Sequence, residues 1–279
     1  MMTMIKPYYE TQLGKLYHGD CLDIMPGLEP VDLVLTDPPY GTTVCSWDVV
    51  IPFEPMWKQL KRIIKNNGVI ALFGNEPFSS YLRISNIKMF GYDWIWHKNK
   101  SGNIFQYKSK PMARHEIISI FTKYRLSWRK ADYIKYYPQL NDCDIKVKTS
   151  MTKKNRSVQT APNHKKSLKK YNMKKTGYPE TIIKINNEGN KLHPTQKPVA
   201  LMEYLIKTYT NENEIALDFA IGSGTTAVAC ERLKRKWIGI EIEEKYCEIA
   251  AKRIEENLTV PERIDRCEKG ITKKTTLLF

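Results

Sequence analysis

The stretch Leu33-Val34-Leu35-Thr36-Asp37-Pro38-Pro39-Tyr40 joins an apolar run to an acid, two prolines and an aromatic ring. The run has the composition of a buried strand. Neither proline can extend it, because each lacks the amide donor that a sheet ladder needs, so the chain must leave the sheet at the strand's carboxyl end. Open α/β sheets bind their ligands at that edge. Asp37, the carbonyls of Pro38 and Pro39, and the Tyr40 ring are thereby presented together in a stiff turn. Such a set suits an exocyclic amine on a flat ring: Asp37 and the Pro38 carbonyl can accept the two amine hydrogens while Tyr40 stacks on the base.

A second strand and turn lie downstream, in Ile215-Ala216-Leu217-Asp218-Phe219-Ala220-Ile221-Gly222-Ser223-Gly224-Thr225-Thr226. The glycines permit close backbone approach to a ligand, and a helix predicted from Ala227 to Lys234 offers free amide donors at its start. The next predicted strand, Trp237 to Ile242, ends on Glu241-Ile242-Glu243, and an acid at a strand tip is what a ribose diol needs. Glu241 follows Gly224 by 17 residues, close to the spacing of about 20 expected in a nucleoside-binding βαβ unit.

The remaining elements fit between these two. Leu16 to Asp20 reads as a short strand leading to a turn at Met25-Pro26-Gly27. Pro52 opens a helix with Met56, Trp57, Leu60, Ile63 and Ile64 on one face; Asn66-Asn67-Gly68 closes it, and Val69 to Phe73 is a buried strand. Tyr92 to Trp96 and Glu116 to Phe121 read as strands, and Pro198 starts a helix with Leu201, Met202, Leu205 and Ile206 inward. Strands alternating with helices predict an α/β fold, a mostly parallel twisted sheet with helices on both faces.

Charge is concentrated. Of a net +15, eleven positive charges lie between Ile145 and Pro179, which contains no acid: Lys146, Lys148, Lys153, Lys154, Arg156, Lys165, Lys166, Lys169, Lys170, Lys174 and Lys175. The span reads as a phosphate-binding arm, the bland alternative being a solvated loop. Its lysines would supply affinity, and Asn155, Gln159, Asn163, Arg125 and Arg129 are the nearest groups able to read base edges. The six cysteines are scattered without a Cys-x-x-Cys pair, which predicts reduced packing thiols in a cytoplasmic protein, and the five dispersed histidines suggest no metal site. No run of 18 apolar residues occurs, and residues 1–9 lack the apolar core of a signal peptide.

Together these motifs resemble the DNA amino-methyltransferases that use S-adenosylmethionine. The resemblance rests on Gly19-Asp20-Cys21, the Asp37 turn, His193-Pro194-Thr195-Gln196-Lys197-Pro198, the loop from Gly222 to Thr226, and Ile238-Gly239-Ile240-Glu241. The order of motifs, catalytic turn first and cofactor loop last, resembles the β class. One departure is visible: the family usually has Asp-Pro-Phe where this chain has Asp218-Phe219-Ala220. The resemblance implies a Rossmann-like methyltransferase fold with one antiparallel strand, for which the Tyr92 and Glu116 strands are candidates. It also implies a division into a catalytic half (1–124), a target-recognition insertion (125–190), a cofactor half (191–260) and a tail (261–279).

Site roles follow from the resemblance. Asp37, Pro38, Pro39 and Tyr40 would be catalytic. Glu241 would hold the ribose hydroxyls, with Asp218 near the methionine amino group and Gly222, Ser223 and Gly224 forming the loop it anchors. Thr225, Thr226, Thr195 and Lys197 would bind the methionine carboxylate, and Asp20, Cys21 and Phe219 would approach the adenine. His193 is either part of this site or structural. Trp47, Trp96 and His97 are secondary candidates for contact with an extruded base. Double-stranded DNA is the expected partner, a homodimer is common in the class, and Thr275-Thr276-Leu277-Leu278-Phe279 resembles peptides that dock on bacterial sliding clamps. Aspartate at the head of the turn is commoner among N6-adenine enzymes than among N4-cytosine enzymes. The alternatives are N4-cytosine methylation, a structured RNA substrate, and a nucleic-acid-binding protein without catalysis.

Overall fold

The computed structural model describes residues 6–42, 48–102, 107–124, 134–148, 170–188 and 196–258, with backbone alone at 141–148 and 170–176. It comprises two compact units, Met1–Tyr137 with Thr181–Phe279, and Pro138–Glu180. Thr195, His193, Trp47, Arg125, Arg129, Lys153, Lys154, Arg156, Lys165, Lys166, Lys169, Asn155, Gln159, Asn163 and the tail from Thr275 lie outside the described residues.

The first unit carries, in chain order, β1 (Tyr9–Glu10), β2 (Gly14–His18), α1 (Cys21–Ile24), a 3-10 turn (Met25–Gly27), β3 (Val31–Thr36), α2 (Phe53–Ile63), β4 (Ile64–Gly74), α3 (Phe78–Ser85), β5 (Phe90–His97) and β6 (His115–Thr122). The second unit holds β7 (Asn141–Lys148) and β8 (Lys170–Thr176). The chain returns to the first unit with β9 (Ile182–Lys184), α4 (Val199–Tyr209), β10 (Ile215–Asp218), α5 (Thr225–Arg232), β11 (Lys236–Glu241) and α6 (Glu244–Asn257). Among the described residues nine strands form one sheet, ordered β1-β2-β11-β10-β3-β4-β6-β5-β9. Strands β2, β11, β10, β3 and β4 run parallel.

Alternation along β3 explains its continuous apolar run. Leu33 and Leu35 pack with Leu201, Leu205, Val228 and Ile254 of α4, α5 and α6 on one face. Val34 packs with Met56, Leu60 and Leu82 of α2 and α3 on the other. A strand covered on both faces has no position for a polar side chain facing water.

Several details differ from the sequence expectations. Ile64 leaves the helix in extended geometry and pairs with Val31, so β4 begins there and the residues up to Gly68 form an irregularity before Val69 pairs with Leu33. A side chain at 68 would meet the Asp32 carbonyl at 2.8 Å, so the glycine admits close strand approach where a helix stop was expected. Of the two candidates for the antiparallel strand, it is the Glu116 strand, β6, that runs against β4, and β5 in turn runs against β6. Both ends of the basic span are strands, β7 paired antiparallel with β8 and Lys148 opposite Lys170; the alternation of Cys143, Ile145 and Val147 with polar residues carried that signal beneath the charge.

At the amino end of β3, Asp32 ties the parallel strands together. Its buried carboxylate accepts the Ile215 amide at 2.9 Å and pairs with Lys65 at 2.9 Å and Lys135 at 2.6 Å. Lys135 also pairs with Glu214 at 2.5 Å. Burial opposes the charged form, but the Ile215 amide and the two ammoniums outweigh it and hold the Asp32 carboxyl below its usual value. A depressed folded value means stability present above the unfolded pKa and lost as pH falls through the folded one. Asp32→Ala, which leaves the Ile215 amide without its acceptor and Lys135 with Glu214 alone, is expected to cost about 1–3 kcal/mol in denaturant unfolding at pH 7. The gap to wild type should close as pH falls below about 4; a gap independent of pH would contradict this account.

Candidate active site

The carboxyl ends of β2, β3, β10 and β11 border a cavity of about 890 Å³. Asp37, Pro38, Pro39 and Tyr40 line it together with Asp20, Cys21, Lys197, Asp218, Phe219, Gly222, Ser223, Thr225, Thr226 and Glu241. The structure therefore brings both sequence motifs, 178 residues apart at Tyr40 and Asp218, into one space. Gly224 stands just behind, capping α5. Exposed His97 ends β5 away from the cavity lining, and Lys170 begins β8 in the second unit.

The Asp37 turn is held from within its own loop. Asp48 accepts the backbone amides of Tyr40 (2.8 Å), Gly41 (2.9 Å) and Thr42 (2.9 Å). Gly41 has φ +68°, and a side chain there would crowd Val50 at 3.0 Å. The Tyr40 ring packs on Phe78 with centroids 5.0 Å apart, and its hydroxyl donates to Asp37 Oδ1. The second oxygen of Asp37 receives the Lys197 ammonium. Lys197 also reaches Glu116 on β6 at 3.2 Å, and Glu116 pairs with Lys98 at 2.8 Å. Burial pushes the Asp37 carboxyl above its ordinary value although Lys197 and Tyr40 counteract it. The Tyr40 hydroxyl is pushed far up by burial and by the adjacent carboxylate. Lys197, expected at a methionine carboxylate, has its ammonium engaged by Asp37 and Glu116 here.

The glycine turn is built against α6. Gly224 has φ +80°, and a side chain there would meet Ala250 at 3.0 Å. Beneath the turn, buried Arg253 donates to the Ser223 carbonyl (3.2 Å), the Ser223 hydroxyl (3.2 Å) and the Thr225 hydroxyl (2.8 Å). Glu241 accepts the Gly222 amide at 2.8 Å and the Glu243 amide at 3.0 Å, which fixes the strand tip to the turn. Asp218 accepts from Thr226 and from the Ala220 amide at 3.2 Å, and burial pushes its carboxyl up to about 7. Asp20 caps α1 by accepting the Leu22 amide at 2.7 Å. Burial and the neighbouring Asp20 push the Cys21 thiol up to about 12, so it remains a thiol and no nucleophile.

Sequence reasoning assigned no site role to Asp48, Glu116, Lys98 or Arg253. Arg253 had a signal: it shares the buried face of α6 with Cys247, Ala250 and Ile254, where a charge is out of place. Glu116 adjoins an apolar strand in the same way.

The model of the DNA methylase family matches residues 31–252. The chain is 30% identical over 265 residues to the type II methyltransferase M.HpaI of Haemophilus parainfluenzae, covering 87% of this chain and 75% of that relative. It is 29% identical to the type II methyltransferase M2.DpnII of Streptococcus pneumoniae, covering 90% of this chain and 93% of the relative. Among solved structures, the complex of M1.HpyAVI with SAM aligns with TM-score 0.55 and 25% identity, over 86% of this chain and 100% of the other. The cytosine-N4-specific PvuII DNA methyltransferase shares the fold, with TM-score 0.63 at 18% identity over 96% of this chain and 95% of the other. Because the matched residues run from the Asp37 turn through the glycine turn and past Glu241, the chain belongs to the DNA methylase family, whose methyl donor is S-adenosylmethionine.

Proposed function

We propose that this enzyme methylates the N6 amino group of adenine extruded from a specific site in double-stranded DNA. The observation that carries the reading is one cavity lined both by the Asp37 turn and by the glycine turn with Glu241. The cofactor half fits S-adenosylmethionine: Glu241 stands at a strand tip for the ribose diol, buried Phe219 lines the same wall, and Asp218 is an acid for an amino group. An ammonium beside Asp218 would draw its carboxyl, now near 7, back to the charged form. Aspartate in the place of Asp37 is the commoner residue among N6-adenine enzymes of the family, which supports adenine over cytosine.

When bound, S-adenosylmethionine supplies an electrophilic methyl group. Asp37 and the Pro38 carbonyl accept the two hydrogens of the target amine, which favours a tetrahedral nitrogen and localises a lone pair otherwise spread into the ring. Tyr40, backed by Phe78, stacks on the base. Asp37 then stands ready to take the proton that the methylated amine sheds. Holding the amine in line with the methyl group supplies much of the acceleration, and no covalent enzyme intermediate is required.

The loop joining β5 to β6 offers a phosphate-binding surface at the mouth of the site. Lys100, Lys108, Lys110 and Arg114 are exposed, the loop contains no acid, and Lys100, Ser101 and Gly102 line the cavity. Replacing these four cations with glutamine should weaken binding to all duplex sequences alike. It should also lower the slope of log affinity against log salt by about 0.9 for each phosphate no longer neutralised. An unchanged slope would remove this loop from the interface.

Incubation with mixed-sequence DNA and isotopically labelled S-adenosylmethionine, followed by nucleoside mass spectrometry, tests the substrate. Labelled N6-methyladenine is expected. Labelled N4-methylcytosine would overturn the choice of base, and label confined to RNA would overturn the polymer.

A further inference from the structure

Four charged side chains form an alternating chain across the cavity wall: Asp37, Lys197, Glu116 and Lys98. All are withdrawn from water, with side-chain exposures of 18%, 8%, 13% and 12%. Each comes from a different place: the catalytic turn after β3, the segment entering α4, β6, and the end of β5. Aromatic faces cover the two cations, with Lys197 5.0 Å from the Phe73 ring centre and Lys98 5.6 Å from that of Trp96. We propose that Glu116 is a positioning residue for methyl transfer, acting through Lys197 to keep Asp37 an orientable acceptor instead of one half of a closed ion pair. The inference rests on the function proposed above and adds a residue to its site.

Charge is shared along this chain. A buried lysine with one carboxylate partner gives that partner its whole charge and pins its geometry. Glu116 divides the Lys197 ammonium, which loosens its hold on Asp37 and leaves the Asp37 oxygens acceptor capacity for a substrate amine, while Lys197 still offsets part of the cost of burying Asp37. Lys98 in turn offsets the charge of Glu116, and the four charges sum to zero. As scaffolding such a chain is a poor device, because a well-packed apolar set is usually as stable. Its terminus at Asp37 gives it a use.

The groups facing Asp37 are Tyr40 on its own turn, Lys197 before α4, Glu116 on β6 and Asp218 on β10. Lys197 holds the Asp37 carboxyl down, while burial and Glu116 push it up. Asp37 acts as an acceptor only when deprotonated, so activity fails as pH falls through its pKa. Removing the negative charge of Glu116 therefore moves the acid limb of kcat to lower pH. Removing Lys98 leaves Glu116 uncompensated, draws Lys197 away from Asp37 and moves that limb to higher pH.

The test compares kcat against pH for wild type, Glu116→Gln and Lys98→Gln, with cofactor affinity and thermal stability measured alongside. Glu116→Gln should lose roughly ten- to hundredfold in kcat at neutral pH while the KM for S-adenosylmethionine stays near wild type. The acid limbs of the two variants should shift in opposite directions, and Glu116→Asp should recover part of the loss. A purely structural Glu116 would lower the melting temperature and leave both limbs in place, which would overturn the proposal, as would shifts of the same sign. If Glu116→Gln does not fold, the limb of Lys98→Gln decides alone: an upward shift supports the proposal and an unmoved one overturns it. Should wild type methylate no DNA, the proposed function fails separately, and the same shifts are then read from the Asp37 carboxyl by carbon-13 NMR in the free protein.

Discussion

A carboxylate that must accept hydrogen bonds from an uncharged amine has to be withdrawn from water, and withdrawal penalises the charge that makes it a good acceptor. In the proposed reaction Asp37 sits under this constraint, with burial the largest influence on its carboxyl. The structure offsets part of that penalty by surrounding one acid with opposite charge and a fixed donor: Lys197 on one oxygen and the Tyr40 hydroxyl on the other. Electrostatic preorganisation of this sort acts before the substrate arrives, so little reorganisation remains at the moment of reaction.

The fold supplies the rigidity this needs. Strand β3 is locked on both faces by helices and at its amino end by the Asp32 cluster. Pro38 and Pro39 then turn the chain out of the sheet, and Asp48 gathers the next amides so that Asp37 cannot drift with the loop. On the neighbouring strand, Arg253 and Glu241 hold the glycine turn from beneath and from the side. The Asp37 turn and the glycine turn thus follow adjacent parallel strands, β3 and β10, whose register sets their separation. Placement on strands makes that separation insensitive to surface loops.

Much of this was legible in the sequence because the deciding signals were local. Apolar runs ending on Asp-Pro-Pro-Tyr and on a Gly-x-Gly turn mark strands that stop at a ligand edge, and the structure places both at one cavity. What escaped notice depends on contacts distant in sequence. Glu116 and Lys197 are 81 residues apart, and nothing in either neighbourhood announces the pairing. Arg253 lies 28 residues beyond Thr225, on a helix otherwise readable as packing. Strands β7 and β8 were passed over for their charge, although Cys143, Ile145 and Val147 alternate with polar residues along β7 and Tyr171 and Met173 repeat that spacing in β8.

The account stands or falls on the carboxylate of Asp37 as the chemical centre. The most direct measurement is single-turnover methyl transfer by Asp37→Ala, with cofactor and DNA affinities determined on the same preparation. Binding of both partners near wild-type strength, with transfer abolished, is the predicted result. Transfer at a rate comparable to wild type would contradict it and move the chemistry elsewhere in the cavity.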